Sequence, residues 1–256
     1  NIDQIEASLV TMDLIQQNEV LQELANKVIQ PYLVIGGAFA LLGVLLFFIQ
    51  LPEPNEEENE EHLELKVAPS VLGHRNLVFG AIAIFFYVGA EVISYDAFST
   101  FGETLGFAKQ DASKFASYTA IAMLAGYFAS IVMIPRFIRQ RTALILVSCL
   151  SILFLMIALN TSGYIAVTFF ALLGFSQSAM WPIIWPLALN GLGKHTKIGS
   201  AILVMMIVGG AIILPAMGVF AEMIDSRKLG FLIMIPCWIY LIFYAISGYK
   251  TEYGNN

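Results

Sequence analysis

Two carboxylates sit where a carboxylate is expensive. Glu91 and Asp96 fall within the run FFYVGAEVISYDAFSTFGETLG, flanked by aromatic and aliphatic residues. An acid at membrane depth is stable when it is protonated, paired or facing water, which makes it a functional candidate by default. Its chemistry would be to accept hydrogen bonds from a substrate's hydroxyls or to take up and release a proton. Five residues correspond to about 140° around a regular helix, so the two acids do not share a face unless the helix breaks. Tyr95, one turn after Glu91, does share its face, and Ser94 and Phe98 do in part. The competing structural role is a carboxylate satisfied by neighbouring helices, or, for Asp96, one close enough to the interface to reach water.

A second group lies in ALLGFSQSAMWPIIWPLALNGLGKHTK. Gly174, Gln177, Trp181 and Trp185 are spaced by three, four and four residues, which places an amide and two indoles along one helical stripe. An amide beside aromatic faces suits a polyhydroxylated ring: hydroxyls bond to the amide, and the C–H face of the ring lies on an indole. Asn190 follows at the end of the run. Trp185 also fits an aromatic belt at the interface. Pro182 and Pro186 each remove an N–H donor and weaken the helix beside Trp181 and Trp185. Broken helices of this kind recur at membrane binding sites. Gln177 and Trp181 are expected to line a cavity.

The elements that must position these groups follow from composition. The chain of 256 residues is 58% hydrophobic and 12% charged, about half the charged fraction of a soluble domain. Seven runs can cross about 30 Å of hydrocarbon, near 31–51, 76–101, 113–135, 142–160, 163–190, 199–222 and 230–249. Residues 1–30 are polar with helical spacing of Ile5, Leu9, Met12, Leu21, Leu24 and Val28, the pattern of an amphipathic extramembrane helix leading into a span. Lys66, Arg75, Arg136, Arg139, Arg141, Lys194, Lys197 and Lys250 collect on one side of the alternating spans, which marks that side as cytoplasmic. Gly36, Gly37, Gly43, Gly209, Gly210 and Gly218 suit close helix packing in lipid. The Gly209-Gly210 pair and Pro215 also suit a bend.

Residues 52–75 hold the acidic stretch EPNEEENEEHLELK, read as a flexible cytoplasmic linker rather than a metal site built on His62. Net charge is −6, with much of the acidity in that linker, so no nucleic-acid partner is expected. No HExxH, GxSxG or P-loop occurs. No catalytic residue, metal or cofactor is expected. His74 and His195 sit in or beside loops, where His195 would lend basic character to a turn. Cys149 and Cys237 lie in apolar runs and read as buried small hydrophobes. No basic n-region precedes an apolar h-region and position 1 is not Met, so no signal peptide is expected and the chain is not expected to begin at a native start.

The stretch WPIIWPLALNGLGKHTKIGSAILVMMIVGGAIILPAMGVFAE resembles the tenth and eleventh helices of the fucose–galactose–glucose:proton symporters, the L-fucose permease group of the major facilitator superfamily. FYVGAEV resembles the start of that family's seventh helix, and MIPRF the end of its eighth. The likeness covers residues 31–250, with NGLGKHTKIGSA its most specific part. It implies an all-α membrane protein whose seven transmembrane helices are the C-terminal part of a twelve-helix transporter. Residues 31–51 would be the last helix of the N-terminal half, 76–249 the C-terminal six-helix bundle, and 250–256 a cytoplasmic tail. It further implies proton-coupled uptake of a neutral sugar by alternating access in a bacterial inner membrane, with the lipid bilayer and an N-terminal half as partners. Two departures stand out: Gly126-Tyr127-Phe128 replaces a Gly-Arg-Phe of the eighth helix, and SYDAFSTFGETLG differs from the fucose-type seventh helix. The expected lining is Glu91, Tyr95, Asp96, Gln177, Trp181 and Asn190, with Glu91 and Asp96 as proton-coupling candidates. A seven-span receptor, a transporter of another small solute and an intramembrane enzyme are the competing classes.

Overall fold

A computed structural model describes residues 13–48, 71–134 and 136–250. The Glu-rich part of the linker with His62, residues 1–12 and residues 251–256 lie outside the described residues. Every regular element among the described residues is helical. Among the described residues seven stretches are long and apolar enough to span a membrane, matching the seven runs read from composition.

The chain divides into two units, residues 1–63 and 64–256. The first contributes helix α1, Leu14–Phe48, which continues through Pro31 without a break. The polar segment before residue 31 and the apolar run after it are therefore one helix, and its candidate span is Gln16–Leu45.

The second unit begins with α2, Arg75–Asp96, and a short α3, Phe98–Thr104. The expected span 76–101 thus bends at Ala97, whose N–H still bonds to Ile93 O at 3.1 Å. After α4, Lys109–Ala112, come α5, Phe115–Met133, and α6, Gln140–Asn160. The next span is divided into α7, Gly163–Gln177, and α8, Met180–Leu189. Then follow α9, Thr196–Met205, and α10, Gly209–Met223, joined by a 3-10 turn at Met206–Val208. Helices α11, Arg227–Gly230, and α12, Met234–Phe243, lead to a π-helical turn at Tyr244–Gly248.

Burial sorts the spans. In the most apolar window of each, 61% of Arg75–Asp96 and 67% of Gly163–Leu189 is buried, against 17% for Lys109–Met133 and 44% for Arg227–Gly248. The two spans that carry the polar residues are the central ones. Helix α2 packs against α8, α10 and α12, and α7 packs against α5 and α6.

Without a hydrophobic drive between helices in lipid, close backbone approach has to come from small residues. At Gly209 the Phe85 carbonyl occupies the place a Cβ would take, and at Gly89 the Ile213 side chain does so. These glycines key α2 to α10. The bend expected near Gly209-Gly210 appears as the 3-10 turn just before Gly209, while Pro215 lies inside α10. At the Ala97 end, Phe98, Phe101, Phe115, Phe170 and Phe231 form a buried aromatic knot. Phe101 stacks on Phe170 at 4.3 Å between ring centroids, and Phe231 meets both rings edge-on. Ring pairs of these kinds add about 0.5–1.5 kcal/mol each beyond the area they bury.

One expectation is corrected. Cys149 is exposed on α6 while Cys237 is buried. In a membrane helix the lipid-facing side is as apolar as the core, so apolar neighbours do not report burial. His195 lies in the 3-10 turn Gly193–His195, where it is buried with its ring set edge-on to His74 at 5.8 Å between centroids.

Candidate functional site

Glu91 lies in mid-α2, four residues after Tyr87. One helical turn brings the two side chains together, and the fully buried Tyr87 hydroxyl donates to Glu91 Oε1 at 2.5 Å. The expected tyrosine neighbour was Tyr95, one turn the other way. Tyr95 is 40% exposed and Asp96 is also exposed, both at the bend where α2 ends. The structure therefore separates the two acids: Glu91 is half-buried with a phenol partner, and Asp96 lies at the helix end.

Gln177 is the last residue of α7 and is completely buried. The Ser94 hydroxyl of α2 donates toward Gln177 Oε1 at 3.3 Å and toward its own helix at Glu91 O, 2.8 Å. One proton serves two acceptors, so the tie between spans is the weaker of the two bonds. The Gln177 Nε2 has no partner. Whichever way the amide is turned, one end meets Ser94 and the other is an orphan, a state that costs about 1–3 kcal/mol for a buried polar group. Thr119 Oγ1, Ser148 Oγ and Trp238 Nε1 are the other buried orphans among the described residues.

The break after Gln177 has a local cause. In a continuous helix the carbonyl of Ser178 would bond to the N–H of residue 182, but Pro182 has none and its ring crowds that carbonyl. The helix stops at Gln177, turns through Ser178 and Ala179, and restarts at Met180. Trp181 and Trp185 then stack at 5.4 Å with an interplanar angle of 23°, and Tyr87 packs on Trp181 at 6.2 Å. Tyr87 thus touches Glu91 on one side and Trp181 on the other. The partly buried indoles keep surface available.

Asn190 is placed differently from the rest. It caps α8, its side chain is exposed, and its backbone carbonyl accepts from Asn76 Nδ2 at 2.8 Å. Asn76 also donates to Ala188 O at 2.9 Å. A buried amide at the start of α2 so satisfies carbonyls at the end of α8, the groups a helix terminus leaves unpaired. Asn76 and Tyr87 were not singled out from the sequence, and Ser94 was named only as sharing part of the Glu91 face. A polar residue at the head of an apolar run and a tyrosine at i−4 from an acid were the available signals. The structure brings together Glu91, Gln177 and Trp181 through Tyr87 and Ser94, and leaves Tyr95, Asp96 and Asn190 at element ends. Among the described residues no cluster of three or more His, Cys, Asp or Glu side chains suits a metal.

Comparison with known proteins gives a consistent picture. The chain is 37% identical over 231 residues to a glucose/galactose transporter of Brucella abortus, covering 89% of this chain and 55% of that one. It is 31% identical to a putative glucose/galactose transporter of Helicobacter pylori, covering 89% and 56%. The L-fucose-proton symporter of Escherichia coli is 24% identical, covering 88% and 52%. The chain spans about half the length of the curated relatives it matches. The crystal structure of the E. coli fucose:proton symporter shares the fold, with a TM-score of 0.79 at 22% identity over 94% of this chain and 60% of that one. The Major Facilitator Superfamily pattern matches residues 28–215, and the chain belongs to that superfamily of membrane transporters.

Proposed function

We propose that this chain forms part of a secondary active transporter that carries a neutral hexose or related sugar with a proton by alternating access. The observation that carries the reading is the buried Gln177 amide with one unpartnered end, set across Ser94 from Glu91 and followed by the Trp181–Trp185 stack. An orphan amide, a carboxylate and an indole face are the groups a polyhydroxylated ring needs. The relatives named as glucose/galactose transporters and as L-fucose-proton symporters support the sugar and the proton.

In this reading Gln177 bonds to sugar hydroxyls, Trp181 receives the apolar ring face, and Glu91 takes the proton, with Tyr87 holding its carboxyl. Tyr95, Asp96 and Asn190 stand at the margins of the cavity. Residues 31–51 close an N-terminal half, 52–75 form a cytoplasmic linker, and 76–249 supply one wall. The opposite wall comes from the N-terminal half. In this reading the membrane is the bacterial inner membrane, a placement that the bacterial relatives support.

The test is uptake of labelled glucose, galactose, fucose and a polyol control by full-length protein in proteoliposomes, with and without an inward proton gradient. The reading expects gradient-driven accumulation of at least one of the three sugars and none of the control. Uptake of no sugar, or uptake indifferent to the gradient, overturns it.

A further inference from the structure

A cavity of about 280 Å³ opens between α5, α6 and the end of α7, and neither Glu91 nor Gln177 lines it. Gly126, Met133, Ile134, Ile138, Leu146 and Leu150 are among its walls. The polar lining residue Ser130 is already engaged, its hydroxyl donating to Gly126 O at 2.7 Å. Nothing in this lining offers a hydrogen bond to a sugar, and its size falls just under the roughly 300 Å³ of small-ligand pockets.

What lies at one end of the cavity is specific. Ile134 and Ile138 belong to the tight turn joining α5 to α6, where the N–H groups of Phe137 and Ile138 both bond to Met133 O, at 2.9 and 3.2 Å. The same turn exposes Arg136 and Arg139. Among the described residues no carboxylate pairs with either. Arg141, the third cation of the hairpin, donates instead to the Tyr249 hydroxyl at 2.9 Å. Phe137 projects beside them, 73% exposed, as aromatic residues do at a membrane interface.

We propose that this groove holds one acyl chain of an anionic glycerophospholipid, with the headgroup phosphate on Arg136 and Arg139. The proposal rests on the membrane-spanning reading of the bundle and not on the identity of the transported solute. An apolar slot between membrane-spanning helices takes hydrocarbon. Two guanidiniums on the turn that closes one end of it, without a carboxylate partner among the described residues, match phosphate geometry, and no described carboxylate pairs there to receive the ammonium of a zwitterionic headgroup. Basic residues beside a membrane draw anionic lipid at short range.

The experiment is native mass spectrometry of the full-length protein, given equal amounts of phosphatidylglycerol and phosphatidylcholine with the same acyl chains. The wild type is expected to retain phosphatidylglycerol roughly tenfold over phosphatidylcholine. The double variant R136Q/R139Q should bring the two lipids to parity. Lys194→Gln with Lys197→Gln removes equal charge from another exposed turn and should leave the preference intact. Ala129→Phe, which fills the groove, should lower retention of both lipids; should it fail to fold, the arginine pair decides alone. Equal retention of the two lipids by the wild type overturns the proposal, as it would if the upstream half covered the groove. So does an unchanged preference in R136Q/R139Q, or an equal loss in the lysine control. Sugar uptake is not read, so a wrong substrate assignment cannot mimic either result.

Discussion

The Tyr87 hydroxyl donates to Glu91 Oε1 at 2.5 Å, while the Tyr87 ring packs on Trp181 at 6.2 Å. One buried side chain thereby links the acid of α2 to the indole stack of α8. A shift of the Trp181 indole would reach the Glu91 carboxyl through this phenol.

Gln177 is the first test of the sugar-facing wall. Gln177→Leu keeps the volume and removes the orphan amide, so the folded protein should insert and melt at or above the wild-type temperature. Sugar affinity should fall about tenfold, the scale of one lost hydrogen bond to a buried group. Equilibrium binding on detergent-solubilised protein checks both, and wild-type affinity in the variant would remove Gln177 from the site.

Trp181→Ala removes the partner of Trp185 and Tyr87 together. Affinity should drop more than in Trp181→Phe, which keeps a ring face, and both variants should still insert. Sugar-dependent tryptophan fluorescence reads this directly, because wild-type affinity in the alanine variant would mean that the indole serves packing only.

The two asparagines should behave oppositely. Asn190 uses its backbone carbonyl, so Asn190→Ala should retain sugar affinity within about twofold, less than 0.5 kcal/mol. Asn76→Leu leaves the carbonyls of Ala188 and Asn190 without their donor. It should cost about 1–3 kcal/mol of stability, read as a lower thermal transition in a shift assay.

Gly209→Val places a side chain where the Phe85 carbonyl lies. Backbone cannot rotate away as a side chain end would, so the cost should reach or exceed the about 1–3 kcal/mol of an overpacked core. The yield of monodisperse protein in mild detergent is the measurement. Gly218→Val, at a position with open space around it, is the matched control and should be tolerated.

How much of this was legible in the residues depends on the interaction concerned. The spans were, because hydrocarbon thickness sets a length that composition reports. The weakening expected beside Trp181 and Trp185 appears instead as a break at Ser178–Ala179, upstream of Pro182, while Pro186 stays inside α8. The bend at Ala97 was not, since neither proline nor a glycine pair marks it and the aromatic knot that anchors it joins residues far apart in sequence. Glu91 and Gln177 were legible as costly polar groups. Their linkers were less so: Tyr87 was passed over, and Ser94, read as sharing part of the Glu91 face, acquires its meaning only from the Gln177 that stands opposite. Cys149 misled for a related reason, because in lipid an apolar flank does not report burial.

The most direct measurement compares gradient-driven accumulation with sugar exchange in proteoliposomes carrying full-length Glu91→Gln. A glutamine keeps the size and hydrogen-bonding capacity of the acid but cannot carry the proton. The account predicts that uphill accumulation is lost while exchange of labelled for unlabelled sugar proceeds within a fewfold of wild type. Loss of both to the same extent, or full accumulation in the variant, would contradict it.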